Sequence, residues 1–424
     1  MNPNWSQIDD DLADMVFARL GGRDLARARL ACTRWARVVK ETVRHLDLPG
    51  EHVKRSFHES FPNLKTLSVV GAVRDATLFN ISKSRRLEHI ELYDRAGGAR
   101  LSRASVSALA SIPSLCSLDV YSCSSFTDAN IDVFGPMMSI NMFNIRDTHI
   151  EFLPDTLYYF RASVSLDTTG VRAFAGIRHL QWLDIGYSTD TQPGWLEPLS
   201  ELRLRVLCVN DCDYSDIASI SGMTTLESLD MNETGVTPSD LAALGTLVNL
   251  TRLDMACCPC RYTTSSRLSE VIQKLRHLRF LNIYDTRTIP IQTDIVPYAA
   301  KPHGLLVSRK NSELEVLVAG ERDFILEDMS RLPPSLSRLE IRGSKIRSGV
   351  IGYIMAKLPA ISYIDARFVE NVSMSDLYKV PTRIGHFVTN KKILQRFIED
   401  NYPSVEYEPL SKDESTGMPH DLMF

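Results

Sequence analysis

The sequence contains no apolar run approaching the ~18 residues of a membrane span. Met1 to Asp14 is acidic and lacks an apolar core, so it is not expected to act as a secretory leader or a presequence. Eight cysteines fall in no regular framework, which points to a reducing compartment, cytoplasmic, nuclear or both. Matches to N-x-[ST], such as Asn232-Glu233-Thr234, therefore carry no weight for glycosylation. Neither sign of charge is in excess. A formal net charge of −4 is too small to draw the chain to nucleic acid or to an anionic membrane. Catalytic signatures are missing as well: no glycine-rich phosphate loop, no H-E-x-x-H and no G-x-S-x-G. The histidines are dispersed, and His58, His89, His179 and His277 read as solvated turn residues. Neither chemistry nor a cofactor is expected.

What is present is a period. Leu226-Glu227-Ser228-Leu229-Asp230-Met231-Asn232-Glu233-Thr234 reads L-x-x-L-x-(apolar)-x-x-(small polar). Well-aligned copies start at Leu64, Leu87, Leu115, Leu180, Leu204, Leu226, Leu250, Leu278 and Leu336; looser ones start at Ile140, Leu157, Leu314, Ile361 and Ile384. From Leu157 to Leu250 the spacings are 23, 24, 22 and 24 residues. One copy has nothing to bury its apolar residues against, whereas stacked copies share a core. The expected fold is an α/β leucine-rich-repeat solenoid, a curved horseshoe of about 13 repeats with parallel strands on its concave face. Val236 to Leu244 reads as a connecting helix, with Thr237 as cap, Pro238 in the first turn and Asp240 completing a capping box.

The ninth place of the frame holds Cys123, Ser188, Cys212, Thr234, Cys258, Thr286 or Ser344, read as small side chains buried under a turn. Cys257-Cys258-Pro259-Cys260 and Cys208…Cys212 invite a metal reading. The two groups lie two repeats apart, roughly 10 Å at the usual strand spacing, too far for bonds of about 2.3 Å to one zinc. No metal is expected.

Residues 8–46 follow a helical period instead. Leu12, Met15, Val16 and Leu20 share one face, Gly21-Gly22 punctuates, and Asp24 opens a helix carrying Leu25, Ala28 and Leu30. Trp35, Val38, Val39, Val43 and Leu46 form a third apolar face. Ile8-Asp9-Asp10-Asp11-Leu12, Val16-Phe17, Leu20, Asp24-Leu25, Ala28 and Ala31-Cys32-Thr33-Arg34-Trp35 keep the order and spacing of the F-box frame. The segment resembles the F-box family, and with the repeats behind it the chain is similar to F-box/leucine-rich-repeat proteins. Asp9 stands where the family usually has proline, and Ile8 where it has leucine.

The resemblance implies a non-catalytic substrate receptor of a cullin-type ubiquitin ligase. Its F-box would hold a Skp-type adaptor through Ile8, Asp9, Leu12, Val16, Leu20, Leu25, Cys32 and Trp35. A scaffold or inhibitor in a larger assembly, with the three helices as a solenoid cap, is the other reading. Exposure of the first helix would favour an adaptor site, and its burial on the first repeat a cap.

Alternate strand residues face away from the core. The fifth place of the frame supplies Glu91, Asp119, Asp184, Asp230, Asp254, Glu340 and Asp365, interrupted by Asn144, Arg161, Cys208, Asn282 and Ala319. The seventh supplies Tyr93, Tyr121, Arg146, Asn210, Asn232 and Tyr284. Two readings are open: a groove for a basic or polar protein segment, or a solvated face that accompanies the L-D-L pattern. On the first reading Tyr121, Asp184, Asp230, Asn232, Asp254 and Tyr284 touch the target, and nucleic acid is disfavoured by the acidic face.

The expected organisation is a helical module at 1–48, a solenoid at 49–389 with an insertion at 287–310, a capping segment at 390–408 and a disordered tail at 409–424.

Overall fold

The computed structural model describes residues 15–388 apart from 18, 21, 95–100, 122–137, 144–152, 163–165, 167, 189–190, 290–306, 322, 325–329, 347–348 and 370–385. The insertion, beyond 287–289 and 307–310, and the segments expected as C-terminal cap and tail lie outside the described residues.

The chain divides into two compact units, 1–209 and 210–424. In the first, the helices α1 (Gly22–Ala31) and α2 (Thr33–Thr42) precede β1 (His45–Pro49), β2 (Thr66–Val70), β3 (His89–Tyr93), β4 (Ser117–Tyr121), β5 (Ser139–Phe143), β6 (Tyr159–Ala162), β7 (Trp182–Asp184) and β8 (Val206–Cys208). Each strand pairs in parallel with the next, in chain order. The second unit repeats the arrangement with β9 (Ser228–Asp230), β10 (Arg252–Asp254), β11 (Phe280–Asn282), β12 (Val316–Val318), β13 (Arg338–Glu340), β14 (Tyr363–Asp365) and β15 (His386–Val388). Parallel strands in chain order, one per repeat, define a leucine-rich-repeat solenoid.

The register follows the frame. Leu229 pairs with Leu253, Leu253 with Leu281, Leu281 with Leu317, Leu317 with Leu339 and Leu339 with Ile364. All are buried, as are the frame-opening leucines 64, 87, 180, 226, 250, 278 and 336. Two assignments are corrected. Ile140 pairs with Leu118, so it fills the fourth place rather than the first, and Asn141, not Asn144, stands in the fifth. In β12 the fifth place belongs to Val318, while Ala319 is buried in the sixth. An apolar residue at either of two nearby places satisfies the pattern, and only pairing with the neighbouring strand decides between them.

From the repeat opened by Leu180 to that opened by Ile361, each ends in the same turn. Tyr187, Asp211, Glu233, Cys257, Asp285, Glu321, Gly343 and Phe368 occupy the eighth place, all with φ between 45° and 66°. The amide of this residue donates to the seventh-place carbonyl of the following repeat, as in Glu233 to Ala256 at 2.9 Å and Cys257 to Tyr284 at 2.7 Å. The ninth-place side chain is buried beneath the turn. There Cys258 Sγ donates to the Met231 carbonyl at 2.9 Å and Thr286 Oγ1 to the Met255 carbonyl at 2.6 Å, so each ties its repeat to the one before.

Between strands, Pro238–Leu244 forms the helix read from sequence, with a reciprocal cap: Asp240 N donates to Thr237 Oγ1 and Thr237 N to Asp240 Oδ2. Asp240 Oδ1 also accepts from Ala218 N of the preceding repeat at 3.1 Å, so one carboxylate caps a helix and cross-links two repeats.

Leu229→Ala should destabilise the protein by about 2–5 kcal/mol through lost burial and a cavity. Asp230→Ala removes an acceptor for the amide of Asn232, a hydrogen bond worth about 1 kcal/mol. A denaturant titration comparing the two checks this; equal losses would mean that Leu229 does not sit in the shared core.

Candidate functional site

Two surfaces carry residues that the core does not use: the N-terminal helices, and the strand face opposite the leucine core.

Ile8, Asp9 and Leu12 lie outside the described residues. The remaining N-terminal residues divide sharply. Phe17, Leu25, Ala28, Val38 and Val39 are buried, and Phe17 meets Trp35 edge-on with ring centroids 5.4 Å apart. Leu25 is therefore interior and unavailable to a partner, which corrects its place on the adaptor surface. Cys32 is the N-cap of α2, its Sγ accepting from Trp35 N at 3.4 Å; with Trp35 half-buried, both side chains serve the module's own packing. Asp24 lies inside the first turn of α1 rather than ahead of it, where its charge favours the positive helix end.

By contrast Met15 is 63%, Val16 43% and Leu30 87% exposed. Leu30, grouped by period with Leu25 and Ala28, points out instead. Leu20 is partly exposed. The same helices also seal the first repeats: Val43 and Leu46 are buried, Arg29 lies 5.2 Å over the Phe61 ring, and Asn63 Nδ2 donates to the Glu41 carbonyl at 2.9 Å. Burial on the repeats and an exposed apolar set thus belong to different faces of one module.

On the strand face most of the expected acidic ladder is consumed internally. Asp184 is buried, paired with Arg161 at 3.0 Å, and accepts from Gly186 N at 3.2 Å. Asp254 is buried and accepts from Ala256 N and Asn282 Nδ2. Burial raises both carboxyl pKa values against these partners. Asp365, fully buried, is bracketed by Arg342 at 2.6 Å and Arg367 at 2.8 Å, and Glu340 by Arg338 and Arg342. Asp184 and Asp254 are therefore not solvent-facing charges. The physical reason recurs: the fifth-place carboxylate or amide accepts the amide two residues on, as in Asp230 to Asn232, Asn282 to Tyr284 and Asp365 to Arg367, each 3.1 Å. This bond closes the turn that ends the strand.

Asn232 Oδ1 is buried and lacks a hydrogen-bond partner among the described residues. Tyr284 lies across Gly320 of the next repeat, where an added Cβ would stand 2.6 Å from the ring. Arg252 stacks 3.8 Å over Phe280, and Arg338 4.0 Å over Tyr363.

The first unit differs. Tyr93 and Tyr121 stack on neighbouring strands, 4.2 Å between centroids and 2° from parallel, as do Tyr159 and Trp182 at 4.2 Å and 16°. Glu91 and Asp119 stand side by side in register between the leucine rungs. Burial, then the Glu91 charge, pushes the Asp119 carboxyl up to about 6. Burial also raises the Tyr159 phenol to about 12.

The F-box domain family matches residues 5–46. No curated protein matches the chain. Among solved structures, the chain is similar to an internalin from Listeria monocytogenes: 19% identity over 83% of this chain and 95% of that one, TM-score 0.53. It is also similar to a leucine-rich-repeat protein from Leptospira interrogans, with 15% identity over 92% of this chain and all of that one, TM-score 0.59. Such likeness extends to the fold. An F-box domain joined to this fold makes the chain an F-box/leucine-rich-repeat protein. Both modules generally serve as adaptors or receptors without catalytic activity, and F-box domains generally bind Skp-type adaptors. Among the described residues no helix is long and apolar enough to cross a membrane.

Asp119 carries a folded pKa above its unfolded value, so folding takes up a proton and stability falls as pH rises from about 4 to about 6. Asp119→Asn should therefore raise the melting temperature at pH 7.5, and the gain should vanish below pH ~4. Melting curves of both proteins across this range check the sign; a variant less stable at pH 7.5 would mean that the carboxylate has a compensating partner.

Proposed function

We propose that the chain is the substrate-recognition subunit of a cullin-type ubiquitin ligase. Ile8, Asp9, Leu12, Val16 and Leu20 meet a Skp-type adaptor, and the strand face meets a protein target through Tyr121, Asp230, Asn232 and Tyr284. The observation that carries this reading is the exposure of Met15, Val16 and Leu30 on a module whose own core, around Phe17, Leu25 and Val39, is already closed. Exposed apolar side chains on a module that is otherwise packed suit a partner. The protein itself performs no bond chemistry. Its effect is to hold a target lysine near the transfer machinery, where proximity replaces a bimolecular encounter.

Charge adds detail. Between residues 15 and 46 the chain has eight Lys and Arg (19, 23, 27, 29, 34, 37, 40 and 44) against two acids, Asp24 and Glu41. An adaptor surface facing this module is accordingly expected to be acidic, with association slowed by salt.

Deleting the helices would strip the cover from Val43, Leu46 and the first repeats, so point substitutions are the cleaner test. Val16→Asp combined with Leu30→Asp should cut retention of a Skp-type adaptor at least about tenfold, with stability nearly unchanged because both sites are exposed. Failure of the unaltered full-length protein to retain any such adaptor would overturn the ligase reading.

A further inference from the structure

On the strand face, almost every described fifth-place carboxylate has a compensating group from the chain itself. Asp184 has Arg161; Glu340 has Arg338 and Arg342; Asp365 has Arg342 and Arg367. Asp230 and Asp254 accept turn amides, and Asp254 an asparagine as well. Glu91 and Asp119 depart from the rule. They are register partners on β3 and β4, and neither has a hydrogen bond or ion pair with any described residue. The longer strands explain the missing amide: β3 and β4 run on through the seventh place, so the amide two residues on stays within the strand. Two like charges at strand spacing, half-buried, are unfavourable.

Beside them stand Tyr93 and Tyr121, parallel and stacked, their hydroxyls hydrogen-bonded to one another. The second unit shows what this chemistry accepts. There, strand-face carboxylates and aromatic rings are served by arginines, whose guanidinium groups stack on Phe280 and Tyr363 and fork onto Glu340 and Asp365. At Glu91 and Asp119 the carboxylates and rings are present, and no guanidinium of a described residue pairs with them. Across the strands, Asn141 stands opposite Asp119 in register, Ser68 opposite Glu91, and Arg161, two strands from Asp119, is engaged by Asp184.

We propose that Glu91 and Asp119, flanked by Tyr93 and Tyr121, form a subsite for an arginine side chain of an extended protein segment. This deepens the target-binding reading above and rests on it. A guanidinium fits better than an ammonium, since its plane matches the ring faces and its fork spans two carboxylates. The arriving cation also relieves the Glu91–Asp119 repulsion, so binding strengthens as pH rises through the range in which Asp119 ionises.

The test uses the full-length protein and the blocked pentapeptide Gly-Ser-Arg-Ser-Gly, with citrulline and lysine versions as controls, followed by the NMR shifts of the tyrosine rings. The arginine peptide should bind weakly and saturably, the citrulline peptide at least about tenfold less, and the lysine peptide a few-fold less. Glu91→Gln with Asp119→Asn should abolish the difference between arginine and citrulline, and binding by the unaltered protein should weaken several-fold between pH 7.5 and 5. Equal binding of arginine and citrulline peptides, or an unaffected double variant, would overturn the subsite. Adaptor retention, measured on the same double variant, should be unchanged. Its loss from the unaltered protein would strike the ligase reading alone, while intact retention with no arginine preference would strike the subsite alone.

Discussion

A stack of parallel strands is possible only if the chain leaves every strand the same way and returns beneath it. From the repeat opened by Leu180 onward that exit is a turn with one left-handed residue at the eighth place, a conformation that costs about 1–2 kcal/mol for a residue other than glycine. Among the eight residues that adopt it, seven are not glycine. The strain is held by what surrounds it: the fifth-place side chain accepts an amide inside the turn, the eighth-place amide bonds to the next repeat, and a small ninth-place residue fills the space below. Each device closes the turn and joins neighbours at once, so the turns and the leucine rungs stand or fall together.

The same device explains the charge pattern. An aspartate in L-D-L looks like an advertised negative charge, yet in the second unit it is part of the backbone's hydrogen bonding, with arginines covering what remains. Its cost of burial is offset locally, and little field is left to steer a partner. Where strands are longer, at β3 and β4, the carboxylates at the same place are released from the turn and gather beside stacked tyrosines. Strand length therefore decides whether an identical residue at an identical place is structural or available.

The N-terminal helices work on two faces. Inward, Val38, Val39, Val43 and Leu46 continue the apolar core into the first repeats. Outward, Met15, Val16 and Leu30 remain uncovered among many arginines. Because the inner face removes the freedom of the module, anything bound on the outer face is held in a fixed relation to the first strands, which suits a receptor that must position its target.

The repeat period, the leucine rungs, the capped helix at Thr237 and the F-box frame from Ile8 to Trp35 were all legible in sequence, because each depends on residues close together in the chain or on a strict spacing. The register of β5 was not: Ile140 could fill two places of the frame, and pairing with Leu118 chose one. Nor was the outward turn of Leu30, which a helical period alone groups with Leu25. The internal use of Asp184, Asp254 and Asp365 was hidden for the same reason, since their partners Arg161, Asn282 and Arg342 are separated from them by 23, 28 and 23 residues. Sequence by itself determined that this chain is a stack of leucine-rich repeats behind an F-box, since burial periodicity is a local property. Which polar side chains remain free to meet a partner was decided by the tertiary structure alone, because a charge is satisfied by whatever lies within hydrogen-bond reach in space, and that reach crosses repeats.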